Sequence, residues 1–151
     1  MGVSSYDSTP TLTTYMSTDL NSLANNTTNI GGTIFDNSTT RDFYMGAELV
    51  LATIDLSAQT NPAVELYMVP SIDGTNYCEV GADASTTDYP PSTTLVGIFA
   101  IQETNATHRS AIEIFRLGPY KYTPILINKT GAAFAATGNT LKMGPFSETT
   151  A

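Results

Sequence analysis

Ala63-Val64-Glu65-Leu66-Tyr67-Met68-Val69 runs into Pro70-Ser71-Ile72-Asp73-Gly74-Thr75-Asn76 and then into Tyr77-Cys78-Glu79-Val80. Val64, Leu66 and Met68 alternate with Glu65 and Tyr67, the period of two that belongs to a half-buried strand. Asp-Gly between two such runs is a strong hairpin signal, because glycine enters the left-handed region without steric cost. The same pattern recurs outward along the chain. Strands are expected at 33–36, 43–55, 63–69, 77–80, 94–101, 110–117, 121–128 and 139–143. Leu49-Val50-Leu51-Ala52 and Leu95-Val96-Gly97-Ile98-Phe99-Ala100-Ile101 are apolar on both faces, so they are expected to lie centrally or under an arm or partner. Pro124 interrupts the run 121–128, which is therefore expected to begin there or to follow an edge. Gly118-Pro119 and Thr137-Gly138-Asn139 mark bends, and Gly81 to Ser92 reads as a long loop. Short strands at this spacing predict an all-β fold, a β-sandwich of jelly-roll or Ig-like type, over residues 33–151.

Residues 1–32 differ. They are rich in Ser, Thr and Asn and lack Lys and Arg. Such a stretch buries too little apolar surface to fold alone. Leu12, Met16, Leu20 and Leu23 recur at helical spacing, but Thr and Asn are poor helix formers. The expectation is an extended N-terminal arm. Thirty extended residues span roughly 100 Å, enough to cross a neighbouring subunit. Leu12, Tyr15, Met16, Leu20 and Leu23 are then the candidate contact residues, together with Asp83, Asp88 and Tyr89 of the long loop.

The chain has 151 residues, which suits one domain with a real core. Its net charge is −8. Residues 101–151 hold five bases and three acids, so the first hundred residues carry ten net negative charges. An acidic surface repels phosphate backbones, which argues against nucleic acid. No apolar run approaches the about 18 residues of a membrane helix, which argues against a membrane-spanning role. The opening Met1-Gly2-Val3-Ser4-Ser5-Tyr6 lacks the basic and apolar regions of a secretory signal. The single Cys78 allows no internal disulfide and is expected to be a buried, inert thiol. This fits assembly in a reducing cytoplasm.

Catalytic constellations fail on inventory. The sole histidine, His108, falls in Asn105-Ala106-Thr107-His108-Arg109 and is expected on the surface of a polar loop. There is no nucleophile elbow, P-loop or dinucleotide fingerprint. One His and one Cys do not make a zinc site without added carboxylates. Asp73, Asp83 and Asp88 are the calcium candidates, but they lack EF-hand spacing. No cofactor and no enzymatic activity are expected. The sequons at Asn25, Asn26, Asn37, Asn105 and Asn128 are read as chance in so polar a chain. Tyr67, Tyr77, Tyr89, Tyr120 and Tyr122 lie on or beside strands, where tyrosine serves packing or interfaces. Tyr89 and Tyr120 are the stacking candidates if the chain binds a glycan.

One further reading rests on particular segments. Val69-Pro70-Ser71-Ile72-Asp73-Gly74-Thr75-Asn76-Tyr77 is followed by Leu95-Val96-Gly97-Ile98-Phe99. Then come Arg116-Leu117-Gly118-Pro119-Tyr120-Lys121-Tyr122, Leu126-Ile127-Asn128-Lys129-Thr130-Gly131 and Ala136-Thr137-Gly138-Asn139-Thr140-Leu141-Lys142-Met143. In this order, Ala63 to Met143 resembles the small virion structural proteins of tailed bacteriophages, of capsid decoration or cement type. The resemblance implies a β-sandwich that clamps the major capsid protein from the outer capsid surface, often as a homotrimer, after assembly in the host bacterial cytoplasm. It carries over no functional residue, because the matching segments are turns and strand ends. A fibre or tail accessory subunit and a carbohydrate-binding surface module of the virion remain the alternatives.

Overall fold

The computed structural model describes residues 4–6, 9–30, 32–78, 94–102 and 105–150. Its strands are β1 (Ser4–Tyr6), β2 (Thr13–Met16), β3 (Thr28–Asn29), β4 (Phe35–Asp36), β5 (Tyr44–Ile54), β6 (Ala63–Ser71), β7 (Leu95–Ala100), β8 (Ala106–Arg116), β9 (Lys121–Lys129), β10 (Thr140–Phe146) and β11 (Glu148–Thr150). One sheet has the order β2-β10-β5-β8; the other runs β3-β9-β6-β7, with β4 also paired to β9. All these pairings are antiparallel. β1 and β11 form a separate two-stranded ribbon from the two ends of the chain.

The strand order decides between the two sandwich types. β3 and β4 are two halves of one strand, since both pair with β9. Lettered B to I in chain order, the eight main strands then read B-I-D-G and C-H-E-F, the jelly-roll order. Only β6 and β7 are both consecutive and paired within one sheet; the other connections among the eight cross between layers.

Alternation places the core. Met45, Ala47, Leu49 and Leu51 of β5 face Val64, Leu66 and Met68 of β6, with Leu141, Met143 and Phe99 beside them. Each fully buried Leu or Met is worth about 1.5–3 kcal/mol of transfer free energy. The other face of the second sheet is also covered. Tyr67, Val69, Ile125 and Ile127 form a second buried cluster with Ile30 and Tyr77. β6 and β9 are therefore buried on both faces for most of their length, although their sequences alternate.

Three expectations are corrected here. First, residues 12–30 do not project as an arm. β2 pairs with β10, β3 pairs with β9, and Met16, Leu20 and Leu23 are buried in the main core. Their helix-like spacing yields only a single 3-10 turn, Thr18–Leu20. The physical reason is that the edge of β10 and the open end of the core supply the partners this polar stretch cannot supply for itself. Second, the strand with Pro124 begins at Lys121 and is not an edge strand. Pro124 opposes Met68, whose N–H is donated away from β9, to Thr94 O at 3.0 Å. The nitrogen without a hydrogen thus faces the gap between β3 and β4, where no ladder bond is needed. Third, β5 is central as expected, whereas β7, expected to be central or covered by an arm or partner, ends its sheet, so the central place is ruled out.

Buried asparagines tie the connections to the sheets. Asn128 donates from Nδ2 to Leu23 O at 2.9 Å and Ala132 O at 2.8 Å. Its Oδ1 accepts the N–H and hydroxyl of Thr130. Asn139 donates to Ala135 O at 2.7 Å and to Asn21 Oδ1 at 3.1 Å. Both asparagines hold the N-terminal segment against the body.

If residues 12–23 belong to the core, Leu20→Ala is expected to cost roughly 2–5 kcal/mol in urea denaturation. Leu12→Ala, on the exposed start of the segment, is expected to stay within about 0.5 kcal/mol. Equal and small effects would restore the arm.

Candidate functional site

The predicted contact residues separate. Leu12 is exposed and Tyr15 is half-buried, packed edge-on against Phe35 with ring centroids 6.3 Å apart. Burial pushes the Tyr15 phenol up from its ordinary value. Met16, Leu20 and Leu23 are core residues and offer nothing to a neighbour. Asp83, Asp88 and Tyr89 lie outside the described residues. So do Glu79 and Val80, although the Cys78 N–H does return to Pro70 O at 3.2 Å. Cys78 is exposed, not buried, because it follows the turn rather than facing a sheet.

His108 also differs from its expectation. β8 begins at Ala106, so His108 is a strand residue opposite Leu51, and only 7% of it is exposed. Neither ring nitrogen has a hydrogen-bond partner. The imidazole is a buried polar group whose missing hydrogen bonds cost stability.

The Asp73 carboxylate is used up within its own turn. Oδ1 accepts from the N–H groups of Thr75 and Asn76 at 2.8 and 2.7 Å and from the Ser71 hydroxyl; Oδ2 accepts from Asn76 Nδ2 at 2.9 Å. These donors, those of Asn76 foremost, hold the carboxyl well below the usual carboxylate range. Gly74 follows with φ +79°, as the Asp-Gly turn requires. Among the described residues no three His, Cys, Asp or Glu side chains stand together as metal ligands.

Two surfaces stand out among the described residues. One end of the sandwich carries a rigid pair of loops. Asn37 is fully buried there and donates to Asp42 O and Gly118 O, both at 2.8 Å. Its Oδ1 accepts the Asp42 N–H at 2.9 Å, and its own N–H reaches Tyr120 O at 3.1 Å. This clamp presents Phe43, 62% exposed, next to Arg41 and near Tyr120. A cleft lined by Ser38, Arg41, Asp42, Phe43 and Pro119 lies between the loops. Nothing in the sequence singled out Asn37 or Asn128 except the sequons, which were read as chance. The usable signal was Asn37-Ser38-Thr39-Thr40, a run of residues that bond to nearby backbone.

The second surface runs along one side, where the edges β7 and β8 meet. β7 carries no charged residue, and Leu95 (48%) and Ile98 (53%) are exposed on it. Ile114 of β8 is 46% exposed close by. Ile112 closes the seam over Gly97; a Cβ there would lie 2.6 Å from Ile112 Cδ1, so a larger residue would push the Ile112 side chain aside. Soluble proteins usually guard such an edge with charge, proline or a cover.

No family model and no curated protein sequence matches the chain. Among solved structures it is similar to a family 6 carbohydrate-binding module whose binding sub-sites were dissected, at 12% identity and a TM-score of 0.30. It is similar to CsCBM6-3 from Clostridium stercorarium in complex with cellobiose, at 12% identity and a TM-score of 0.28. Each match covers 73% of this chain but only 58% of the module's chain. It is also similar to the Kashmir bee virus empty particle at acidic pH, at 14% identity and a TM-score of 0.31, covering 93% of this chain and 76% of that one. At these TM-scores none of them assigns a site to this chain.

Two predictions follow from these geometries. His108→Leu is expected to raise stability by roughly 1–3 kcal/mol in chemical denaturation, since it removes an unsatisfied buried group; a comparable loss would mean the imidazole is bonded in solution. The stabilisation from Asp73, whose folded carboxyl titrates below its unfolded value of about 4, is present at neutral pH and lost as pH falls below that value. The stability gap between the native chain and Asp73→Ala is therefore expected to narrow in acid, as read by thermal unfolding at stepped pH.

Proposed function

We propose that this chain is a structural protein of a tailed-phage virion, a capsid cement or decoration protein that binds the major capsid protein at the outer surface of the shell. The reading is carried by the edge strand β7, which among the described residues carries no charge and exposes Leu95 and Ile98, next to β8 with its exposed Ile114. A protein that acts alone would gain from covering that edge; one that acts by subunit contacts uses it. The resemblance of Ala63 to Met143 supports the same reading. Jelly rolls serve both viral shells and lectins, so the fold by itself does not choose between them. On a lattice, many linked contacts give avidity without any single tight one. Excess negative charge keeps free copies apart and soluble before assembly. The protein works by adhesion, not by chemistry.

A second reading, a carbohydrate-binding surface module on a fibre, tail or shell, is favoured by the clamped loops that display Phe43, Arg41 and Tyr120. An aromatic face held rigidly beside a cation stacks on a sugar ring at low entropic cost.

Quantitative mass spectrometry of purified particles decides between them. A cement protein is expected at hundreds of copies per particle, and Leu95→Lys with Ile98→Lys is expected to empty the shell of it while leaving its melting temperature unchanged. A few copies per particle, together with glycan-array binding lost in Phe43→Ala, would replace the first reading by the second. Absence from particles would end both.

A further inference from the structure

We infer that the β7–β8 side is a two-fold contact between copies of this chain, centred beside Ile114. The inference refines the assembly reading above and uses the same edge, but it names the partner and is tested without a particle.

β8 is 11 residues long, yet among the described residues it ends its sheet and pairs on one side only. Its register against β5 shifts between Met45 and Ala47, so Glu113 and Ile114 both fall opposite Gly46. Gly46 is tightly placed there: a Cβ on it would stand 3.0 Å from Glu113 O. This extra residue is a β-bulge, and it breaks the alternation of β8. Ile112 and Phe115 turn inward, whereas Glu113 and Ile114 are both exposed. The bulge therefore interrupts any continuous strand-to-strand ladder at this point and sets out side chains instead.

The charges around Ile114 are self-complementary. Glu113 and Arg116 flank it, both are exposed, and among the described residues neither takes part in an ion pair within the chain. Arg109, lower on the same strand, is by contrast held by Glu48 at 2.7 Å. Among the described residues only Arg109 and Lys121 of the six basic residues are held in ion pairs, so Arg116 stands free to meet a carboxylate on another copy. A two-fold axis beside Ile114 runs the two β8 edges antiparallel. Glu113 of each copy then meets Arg116 of the other, and both ion pairs form at once. The exposed Ile114 side chains of the two copies supply the apolar surface at the axis. An isologous contact satisfies the same patch on both copies. A three-fold ring sets this patch against a different one on the next copy, which leaves Glu113 and Arg116 unmatched by each other.

Sedimentation equilibrium of the full chain is the test. The native chain is expected to dimerise. Glu113→Arg alone and Arg116→Glu alone each place like charges across the axis and are expected to weaken the dimer by about tenfold or more at low salt. The double swap is expected to restore it, because the pairs reform with reversed sign. Ile114→Lys is expected to give monomer with an unchanged melting temperature. A monomer at every concentration, a trimer, or a dimer indifferent to the single charge reversals would overturn the inference. A dimer that behaves as described but does not bind particles would leave this contact standing and end the capsid reading instead.

Discussion

The structure depends on one contact, the meeting of β5 and β6 across the sandwich. Met45, Ala47, Leu49 and Leu51 look into Val64, Leu66 and Met68, and every other strand of the two main sheets is placed by hydrogen bonding to one of these two or to a neighbour of one. β10 and β8 flank β5; β9 and β7 flank β6. Apolar burial is non-directional, so this core fixes the distance between the layers but not the path of the chain around it. The path is fixed by polar groups that have no freedom to be wrong.

Those groups are asparagines. Asn37, Asn128 and Asn139 are buried almost completely, and each bonds backbone atoms of distant segments. A buried amide without partners costs more than its bonds contribute, so each of these sites demands one arrangement. Asn128 binds Leu23 and Ala132; Asn139 binds Asn21 and Ala135 and accepts the Ala52 N–H at 3.2 Å. The N-terminal segment is thereby locked on as part of the first sheet and the core. Asn37 does the same at the far end and holds Phe43 outward as a consequence.

The second sheet has a third layer, and it changes what its strands can do. Tyr67 is buried on the face that a half-exposed strand would show to water. Desolvation there, with its hydroxyl donated to Glu65 Oε2 at 2.9 Å, pushes its phenol up to about 12. With that face covered, the free surface of the molecule shifts to the loop end around Phe43 and to the side at β7 and β8.

Much of the fold was legible. β5 to β10 fall where hydrophobic alternation and turn residues put them, because a strand's period and a turn's φ are local properties written in consecutive residues. Asp73-Gly74, Gly118-Pro119 and Gly138 all serve as the punctuation they were read as. Exclusion of common catalytic motifs was likewise a matter of inventory. The site was far less legible. Which strand is an edge depends on pairing partners tens of residues away, so β7 read as central or covered, although it is an edge strand with Leu95 and Ile98 exposed. Leu20 and Leu23 read as an arm because the groove that receives them is built from β9, β10 and the loop between. His108 read as a surface residue because the strand that encloses it starts at Ala106, four residues earlier than its polar flank suggested. The sequence by itself determined that this chain makes two layers of short strands around a core. Only the tertiary structure decided the jelly-roll order, the burial of the N-terminal segment and the side left open, since each is set by contacts between residues that are distant along the chain.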